Sequence, residues 1–495
     1  MSHKYEELRK TYSKFIYEKF DTEIESGVLK VTYFFEVPGL ASFRPTLNFD
    51  LRHELVVNDA LSALGQKILF AIGMVELISY WKIACPPLVE VKAAALDFEQ
   101  IDWWKRLYFN GLGEFFYKNS IDAHFSDFMD LRSVDRDENI EVKVESNSEV
   151  ITEYVFQGLN LIPIGGGKDS IVSVEHLSEL KDKNVVFGLN PTQASRDSMR
   201  IAGYGDKQSY IVQRTLDSEM LRLNAEGFLN GHTPFSALLA FVAYYTAYLI
   251  GAENIVLSNE ASANAASIAG TEINHQYSKT SEFEIAFQAY SKKYLSDKIY
   301  YFSLLRPFAE IAIARSFTKY EKYFPYFRSC NRGSKKNIWC ANCSKCLFIF
   351  AMISPFLSHE RVVEIFGKDL WENEGLLEDW AMLLGVFEQK PFECVGTIEE
   401  VQYATVLIVN LFLNQFEMAK IAEYENVNLN ETYLSLPLLL RYSVEQVKEG
   451  HLAELAWSDS EHRLASLATE NPLTKWHVDE RLPEKFKKLV QDIIL

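Results

Sequence analysis

The rhythm of apolar and polar positions changes along this chain, and the changes divide it into regions. Between Glu23 and Asp50, the segments VLKVTYFFEV and SFRPTLNFDL carry β-branched and aromatic residues around a Pro-Gly turn, which predicts strands. From Asn58 to Trp81, Leu61, Leu64, Ile68, Ile72, Val75 and Ile78 recur at helical spacing. The acidic stretch from Asp130 to Ser148 holds few large apolar residues and reads as a connection with room for one edge strand. A domain boundary is expected there.

Beyond it, apolar runs alternate with helical stretches: Leu159 to Ile164, a helix after GGGKDS, Asn184 to Asn190, a further helical stretch, then Asn254 to Leu257. Such alternation implies right-handed βαβ units and an α/β fold with a doubly wound parallel sheet, whose ligands sit beyond the carboxyl ends of the strands. From Ser358 onward the pattern is mostly helical, as in TIEEVQYATVLIVNLFLNQF, with Thr397 as N-cap and Glu400 closing a capping box. Three regions follow: an N-terminal α+β domain over 1–150 that offers substrate contacts, an α/β core over 151–350, and a helical C-terminal region over 351–495. No internal repeat or low-complexity tract is apparent.

Composition narrows the class. With 495 residues, 48% hydrophobic and 24% charged, the chain matches globular usage and not a disordered or fibrous polymer. Fifty Lys and Arg against 68 Asp and Glu leave a net charge of −18, which repels phosphate backbones and anionic membranes. General nucleic-acid binding and membrane association are therefore not expected, although a local basic pocket for a nucleotide is allowed. The opening MSHKYEELRKTYSKF lacks the apolar core of a secretory signal, so a cytoplasmic location is expected. The apolar stretch Ser236 to Ala252 is shorter than the ~20 residues of a spanning helix and reads as a buried one. Composition leaves the assembly state open.

Candidate chemistry concentrates at Leu161-Ile-Pro-Ile-Gly-Gly-Gly-Lys-Asp-Ser170. Three glycines let backbone N–H groups turn inward, and the following helix start adds partial positive charge, so the segment suits a phosphate. Neither a Walker A sequence nor a G-x-G-x-x-G fingerprint is present. Strand, G-G-x-D-S, then helix resembles the loop of the PP-loop ATP pyrophosphatases, a superfamily that includes asparagine synthetase, GMP synthetase and the 7-cyano-7-deazaguanine synthases. That loop usually begins with Ser, where this chain has Gly165. The resemblance implies that Gly165, Gly166, Gly167, Lys168, Asp169 and Ser170 hold the pyrophosphate part of ATP, with Asp169 on Mg²⁺ and Asn190 near the nucleoside. Asn230, Gly231 and His232, and Ser258, Asn259 and Glu260 at the end of NIVL, are further phosphate-side candidates, or else caps and turns.

Cys330, Cys340, Cys343 and Cys346 follow C-x9-C-x2-C-x2-C, the spacing of a closed structural Zn²⁺ site. Iron–sulfur ligation and a redox pair remain alternatives. Deazaguanine synthases carry a similar cluster after their nucleotide-binding core. Cys85 and Cys394 are left over and are expected to be buried free thiols.

Between Thr271 and Glu284, TEINHQYSKTSEFE holds His275, Gln276, Ser278, Lys279 and Glu284. If its second part is helical, His275 and Lys279 lie four apart on one face, as proton-transfer groups, anion ligands or a solvated surface. N-H-Q-x-S-K, with the glycine loop, NGHTPFSA, LSNEASAN, the cysteines and GMVELISYWKIACPP, resembles the UDP-N-acetylmuramoyl-L-alanyl-L-glutamate epimerase family from about Glu23 to the cysteine cluster. The resemblance implies an ATP- and Mg²⁺-dependent inversion of the terminal glutamate of a UDP-muramoyl dipeptide, with release of AMP and pyrophosphate. It would make His275 and Lys279 the proton-transfer groups, with His232 and Glu260 in reserve. Arg306, Arg328 and Arg332 would clamp carboxylates or phosphates, or else form surface salt bridges. Two other readings stay open: a deazaguanine-type enzyme that joins nitrogen to an adenylated carboxylate, and a nucleotide-binding protein without turnover.

Overall fold

The computed structural model describes residues 3–134, 155–268, 270–422, 436–448, 471–476 and 481–493. Its strands, in chain order, are β1 (Lys14–Glu25), β2 (Val28–Val37), β3 (Ala41–Phe43), β4 (Thr46–Asp50), β5 (Leu88–Val91), β6 (Asp130–Ser133), β7 (Leu159–Pro163), β8 (Asn184–Leu189), β9 (Ser209–Thr215), β10 (Ala252–Leu257) and β11 (Tyr300–Ser303). The helices are α1 (His3–Thr11), α2 (Ala63–Trp81), α3 (Phe98–Gly111), α4 (Gly113–Lys118), α5 (Lys168–His176), α6 (Gln193–Ile201), α7 (Ser218–Ala225), α8 (Phe235–Leu249), α9 (Ser281–Tyr294), α10 (Glu310–Thr318), α11 (Ser344–Ile353), α12 (His359–Phe366), α13 (Leu377–Leu384) and α14 (Ile398–Ala422), followed by Leu438–Lys448 and Glu484–Val490.

All the strands join one mixed, mostly parallel sheet of α/β class, in the order β11-β10-β7-β8-β9-β4-β2-β1-β5-β6, with β3 on β2. The five strands β11, β10, β7, β8 and β9 run parallel. At β9 the sheet continues into the N-terminal strands through an antiparallel pairing, Thr46 opposite Thr215. Residues 1–150 and 151–350 therefore contribute to a single hydrogen-bonded sheet. The expected edge strand is β6, at the end of the order; residues 135–154 of the expected connection lie outside the described residues.

Period-two alternation along the central strands feeds two cores. Leu161, Val185, Phe187, Ile255 and Tyr301 face one, shared with α2, α8 and the N-terminal strands. Ile162, Val186, Val256 and Phe302 face the other, shared with α5, α10, α11 and the helices that follow. Runs that are apolar on both faces are what the sequence displays at these strands, since each face meets helices.

Two expectations are corrected in detail. Helix α2 begins at Ala63, not Asn58, because Ser62 Oγ accepts from Gly65 N at 3.0 Å and fixes the start. Asn58 instead donates to Tyr248 O at 2.8 Å. The second difference is β1, a 12-residue strand mostly N-terminal to the predicted one. Its later half is largely exposed and charged, and its ladder to β2 supplies the order that local periodicity does not signal. The capping box is present: Thr397 N donates to Glu400 Oε2 at 2.9 Å and Glu400 N to Thr397 Oγ1 at 3.2 Å.

Helix α2 is long and apolar enough to cross a membrane, yet it packs on α8 and β1 with most of its residues buried. It also carries Glu76, 1% exposed, whose carboxylate accepts two-pronged hydrogen bonds from Arg214 of β9 at 2.8 and 3.1 Å. Removing one partner of such a buried pair strands a charge. Glu76→Ala is expected to destabilise the fold by about 3–5 kcal/mol, read as a lower denaturant midpoint.

Candidate active site

The chain builds β7, then β8 and β9 to one side, and returns to add β10 and β11 on the other. Neighbouring loops diverge at such a reversal and leave a crevice at the carboxyl ends of the strands. A cleft of about 530 Å³ occupies that place, lined by the ends of β7, β8 and β10. Segments from far along the chain complete it: Lys279, Arg328 to Asn331, Lys345 and Cys394.

The glycine turn forms one wall. Gly166 has φ +82°, and a Cβ there would lie 2.5 Å from Ser195 N, so the loop is pressed against the start of α6. A Cβ on Gly167 would meet Ser329 Oγ at 2.6 Å, whereas one on Gly165 would meet nothing within 4 Å. Gly167 is the N-cap of α5 and supplies no side-chain acceptor for the first-turn N–H groups. The turn thus presents an uncapped helix start to the cleft, a seat for an anion. Arg328 N donates to Gly166 O at 2.9 Å and Ser170 Oγ to Gly167 O at 3.1 Å, fixing the turn from both sides.

Within the motif the side chains divide. Asp169 and Ser170 line the cleft, but Lys168 is fully buried and points away, bonded to Asp169 and, at 2.8 Å, to Glu310 Oε1 on α10. Burial disfavours the Lys168 ammonium, and the two carboxylates outweigh it and hold its pKa above the usual range. Burial likewise acts to raise Asp169, and the Lys168 charge reverses this and keeps it ionised. Glu310, buried beside the same charges, is pushed up to about 8 by burial.

Asn190 lines the cleft at φ +47°, but its amide is tied to β9, donating to Arg214 O at 2.7 Å and accepting from Arg214 N at 2.8 Å. Glu260 also lines it. Arg306 is buried and donates to Glu260 O at 2.6 Å, Lys279 O at 2.5 Å and Glu284 Oε2 at 3.1 Å, bracing the loops rather than facing a ligand. Arg328 lines the cleft with its guanidinium on the carbonyls of Phe327, Pro325 and Asn337, and Arg332 is an exposed residue on Asn342 O.

His275 and Lys279 are not successive turns of one helix. Tyr277–Lys279 is a single 3-10 turn, and α9 starts at Ser281 behind a Thr280 cap. They converge nonetheless on Cys394: Lys279 Nζ lies 3.2 Å from its Sγ, and the His275 imidazole stands near enough for its charge to act on the same thiol. Only Lys279 and Cys394 of the three line the cleft. Behind them His275 Nδ1 meets Glu114 of α4, which also pairs with Lys118, and the His232 ring lies 4.4 Å from that of His275. Gly231 φ is +156°, its backbone close against Phe115.

The electrostatics of this row are self-consistent. Burial alone would raise the Cys394 thiol, but Lys279, then His275 and Lys345, bring it down to about 6. Burial lowers His275, and its interactions with Cys394 and Glu114 overturn that and raise it to about 9. Burial acts upward on Glu114, and His275 and Lys118 take it down to about 2. His232 is lowered to about 4 by burial and the neighbouring His275 charge. Thiolate, imidazolium and carboxylate therefore alternate from the cleft inward, with neutral His232 beside them. Cys394 was expected to be a buried free thiol; its partners Lys279 and Lys345 stand 115 and 49 positions away, which no local signal reveals. Cys85 is buried, its Sγ 3.4 Å from Lys82 O.

The four remaining cysteines gather their sulfurs within 4.8 Å of one another. Cys330 and Cys343 are 4.0 Å apart, Cys340 and Cys346 3.6 Å, Cys343 and Cys346 3.5 Å. A tetrahedral zinc with bonds of about 2.3 Å has sulfur–sulfur edges of about 3.8 Å, so the donor set and its size fit that ion. Cys343 also caps α11, and between it and Cys346 the chain delivers Lys345, whose ammonium bonds the carbonyl of Cys394.

Comparison with known proteins places the chain in a family. Family models described as the MurL N-terminal domain and the MurL C-terminal domain match residues 6–304 and 326–426. A UDP-N-acetyl-alpha-D-muramoyl-L-alanyl-L-glutamate epimerase of Xanthomonas oryzae pv. oryzae is 33% identical over 384 residues, covering 73% of this chain and 81% of the relative. Proteins of the same name from a Micromonospora species and from Salinispora tropica are 32% and 30% identical, each over 81% of this chain and 88% and 86% of their own lengths. Matched along both its sheet and its cysteine loop, the chain belongs to the MurL family of UDP-N-acetylmuramoyl-L-alanyl-L-glutamate epimerases.

Proposed function

We propose that this protein inverts the terminal glutamate of UDP-N-acetylmuramoyl-L-alanyl-L-glutamate in peptidoglycan precursor synthesis, through an acyl-adenylate made from ATP. The observation that carries the reading is one cleft in which an uncapped helix start and Asp169 face the same space as Lys279 and Cys394. An anion seat beside proton-transfer groups is what adenylation followed by inversion requires. The relatives named as epimerases of this dipeptide supply the substrate.

The chemistry follows from charge. Removing the α-proton beside a free carboxylate would place a second negative charge next to the first. In the proposed path a carboxylate oxygen attacks the α-phosphorus of ATP and pyrophosphate leaves. The resulting mixed anhydride is neutral at the acyl carbon and electron-withdrawing, so the α-proton becomes removable. Water then cleaves the anhydride to free the inverted product and AMP. Gly165, Gly167 and Ser170 would receive the polyphosphate, with Gly166 shaping the turn and Lys168 fixing Asp169 from behind. Asp169 would hold Mg²⁺, which when bound supplies charge neutralisation at the phosphates. Asn190 would stand by the nucleoside. His275, Lys279 and Glu260 are assigned to the proton-transfer side of the cleft with His232 behind, and Cys330, Cys340, Cys343 and Cys346 to structural Zn²⁺.

Asp169→Ala is expected to lower pyrophosphate release by about 10²–10³ while far-ultraviolet circular dichroism stays native; undiminished release would overturn the role of the loop. Cys343→Ser should drop bound zinc, measured by mass spectrometry of the metal, from about one ion per chain to none, and lower the melting temperature.

The Glu114–His275 pair yields a pH test. Glu114 falls from 4.5 to about 2 on folding, so its contribution is present above pH 4.5 and lost as pH falls through 2. His275 rises from 6.5 to about 9, so its contribution is present below pH 6.5 and lost as pH rises through 9. Glu114→Gln should therefore cost most between pH 4.5 and 6.5, on the order of 3 kcal/mol, with the gap to the parent protein shrinking above pH 9. Denaturant titrations across that range check it.

A further inference from the structure

We infer that Cys394 is the group that exchanges the α-proton of the substrate on one face of the glutamyl carbon, with His275 and Lys279 acting through it. The inference rests on the proposed adenylation and deepens it.

Geometry separates these residues. His275 does not line the cleft, while Cys394 does, and the imidazole acts on the cleft through the charge it sets near the thiol. Lys279 Nζ, 3.2 Å from Sγ, lies on the same wall, so His275 and Lys279 cannot serve opposite faces of one carbon. The row Cys394, His275, Glu114 places a thiol at the cleft, an imidazole whose charge acts on it, and a carboxylate that holds the imidazole at Nδ1. Lys345 fixes the backbone of this residue by bonding its carbonyl, and Lys279 Nζ lies on Sγ, so the cysteine is tied down at both its main chain and its sulfur. The Lys279 ammonium on the sulfur, with the His275 and Lys345 charges near it, draws the thiol down to about 6 against its burial, and the charges of Glu260 and Asp169 act on Lys279 in turn.

The step balances without an added redox reagent. The Cα–H bond of the acyl-adenylate breaks, its electron pair moves onto the acyl carbonyl as an enolate, and an S–H bond forms at Cys394. Water in the cleft returns a proton to the opposite face, and the thiol later loses its proton to solvent. A thiolate suits a carbon acid because it is weakly hydrated in a partly closed site and sheds little solvent before it takes the proton. Lys279 and His275 are positioning residues in this scheme, since they act on the sulfur and not on the reacting carbon.

The test uses the full chain with ATP, Mg²⁺ and UDP-N-acetylmuramoyl-L-alanyl-L-glutamate in D₂O, following AMP release and deuterium at the glutamyl α-carbon together. In Cys394→Ser, α-deuteration is expected to fall at least about 10²-fold more than AMP release does, the usual contribution of a positioned base. Exchange and AMP release that decline in parallel, or undiminished exchange, overturn the inference. So does a glutamyl thioester on Cys394 in the mass of the quenched parent protein, which would make the sulfur a nucleophile. Absence of AMP release from the parent protein sinks adenylation and this inference together, which distinguishes the two failures. Should the variant fold poorly, iodoacetamide on the parent protein at pH 7 decides: Cys394 is expected to be alkylated faster than Cys85 and to be protected by the dipeptide substrate with ATP. Alkylation that substrate does not slow overturns the assignment.

Discussion

The architecture of the site depends on one buried cation. Lys168 sits in the first turn of α5 with no exposed surface, and its ammonium is shared between Asp169 beside it and Glu310 at the start of α10. Burial disfavours a charge there, and the ionised Asp169 beside it and the Glu310 carboxyl on its other side offset that cost, while Asp169 relies on the ammonium in turn. That mutual requirement sets α5 against α10, turns Asp169 toward the cleft, and leaves the glycine turn free of any lysine side chain. The backbone of the turn therefore faces the cleft, and the positive charge supports it from behind.

A second layer of the same logic runs through the loops. Arg306 spends its guanidinium on the carbonyls of Glu260 and Lys279 and on Glu284, so the end of β10 and the turn before α9 are held at a fixed separation. The cysteine loop does comparable work on the opposite side. By capping α11 with Cys343 it places Lys345 against Cys394, which joins the C-terminal segment to the wall of the cleft. Charged side chains that would ordinarily be solvated here serve as braces, which is why few of them are exposed.

Four elements legible from local pattern also explain what was not legible. Strand β2, the apolar runs of β7, β8 and β10, the cap of α14 and the glycine turn each rest on residues a few positions apart, so periodicity and turn chemistry report them directly. The four cysteines announce themselves by spacing for the same reason. Strand β1 escaped because much of it is exposed and charged, and only its partner β2 makes it a strand. The expectation that α2 begins at Asn58 failed because a Ser hydroxyl, not hydrophobic spacing, decides where a helix starts.

By itself the sequence determined the sheet-forming runs, the anion-seating turn and the sulfur cluster, since each is a short-range consequence of residue type. Only the tertiary structure decided that Lys168 turns inward, that Arg306 braces loops, and that Glu114, His275, Lys279 and Cys394 form one row at the cleft. Those residues are separated by up to 280 positions, and what joins them is the order in which strands were laid into the sheet and the packing of helices against it, which no local spacing encodes.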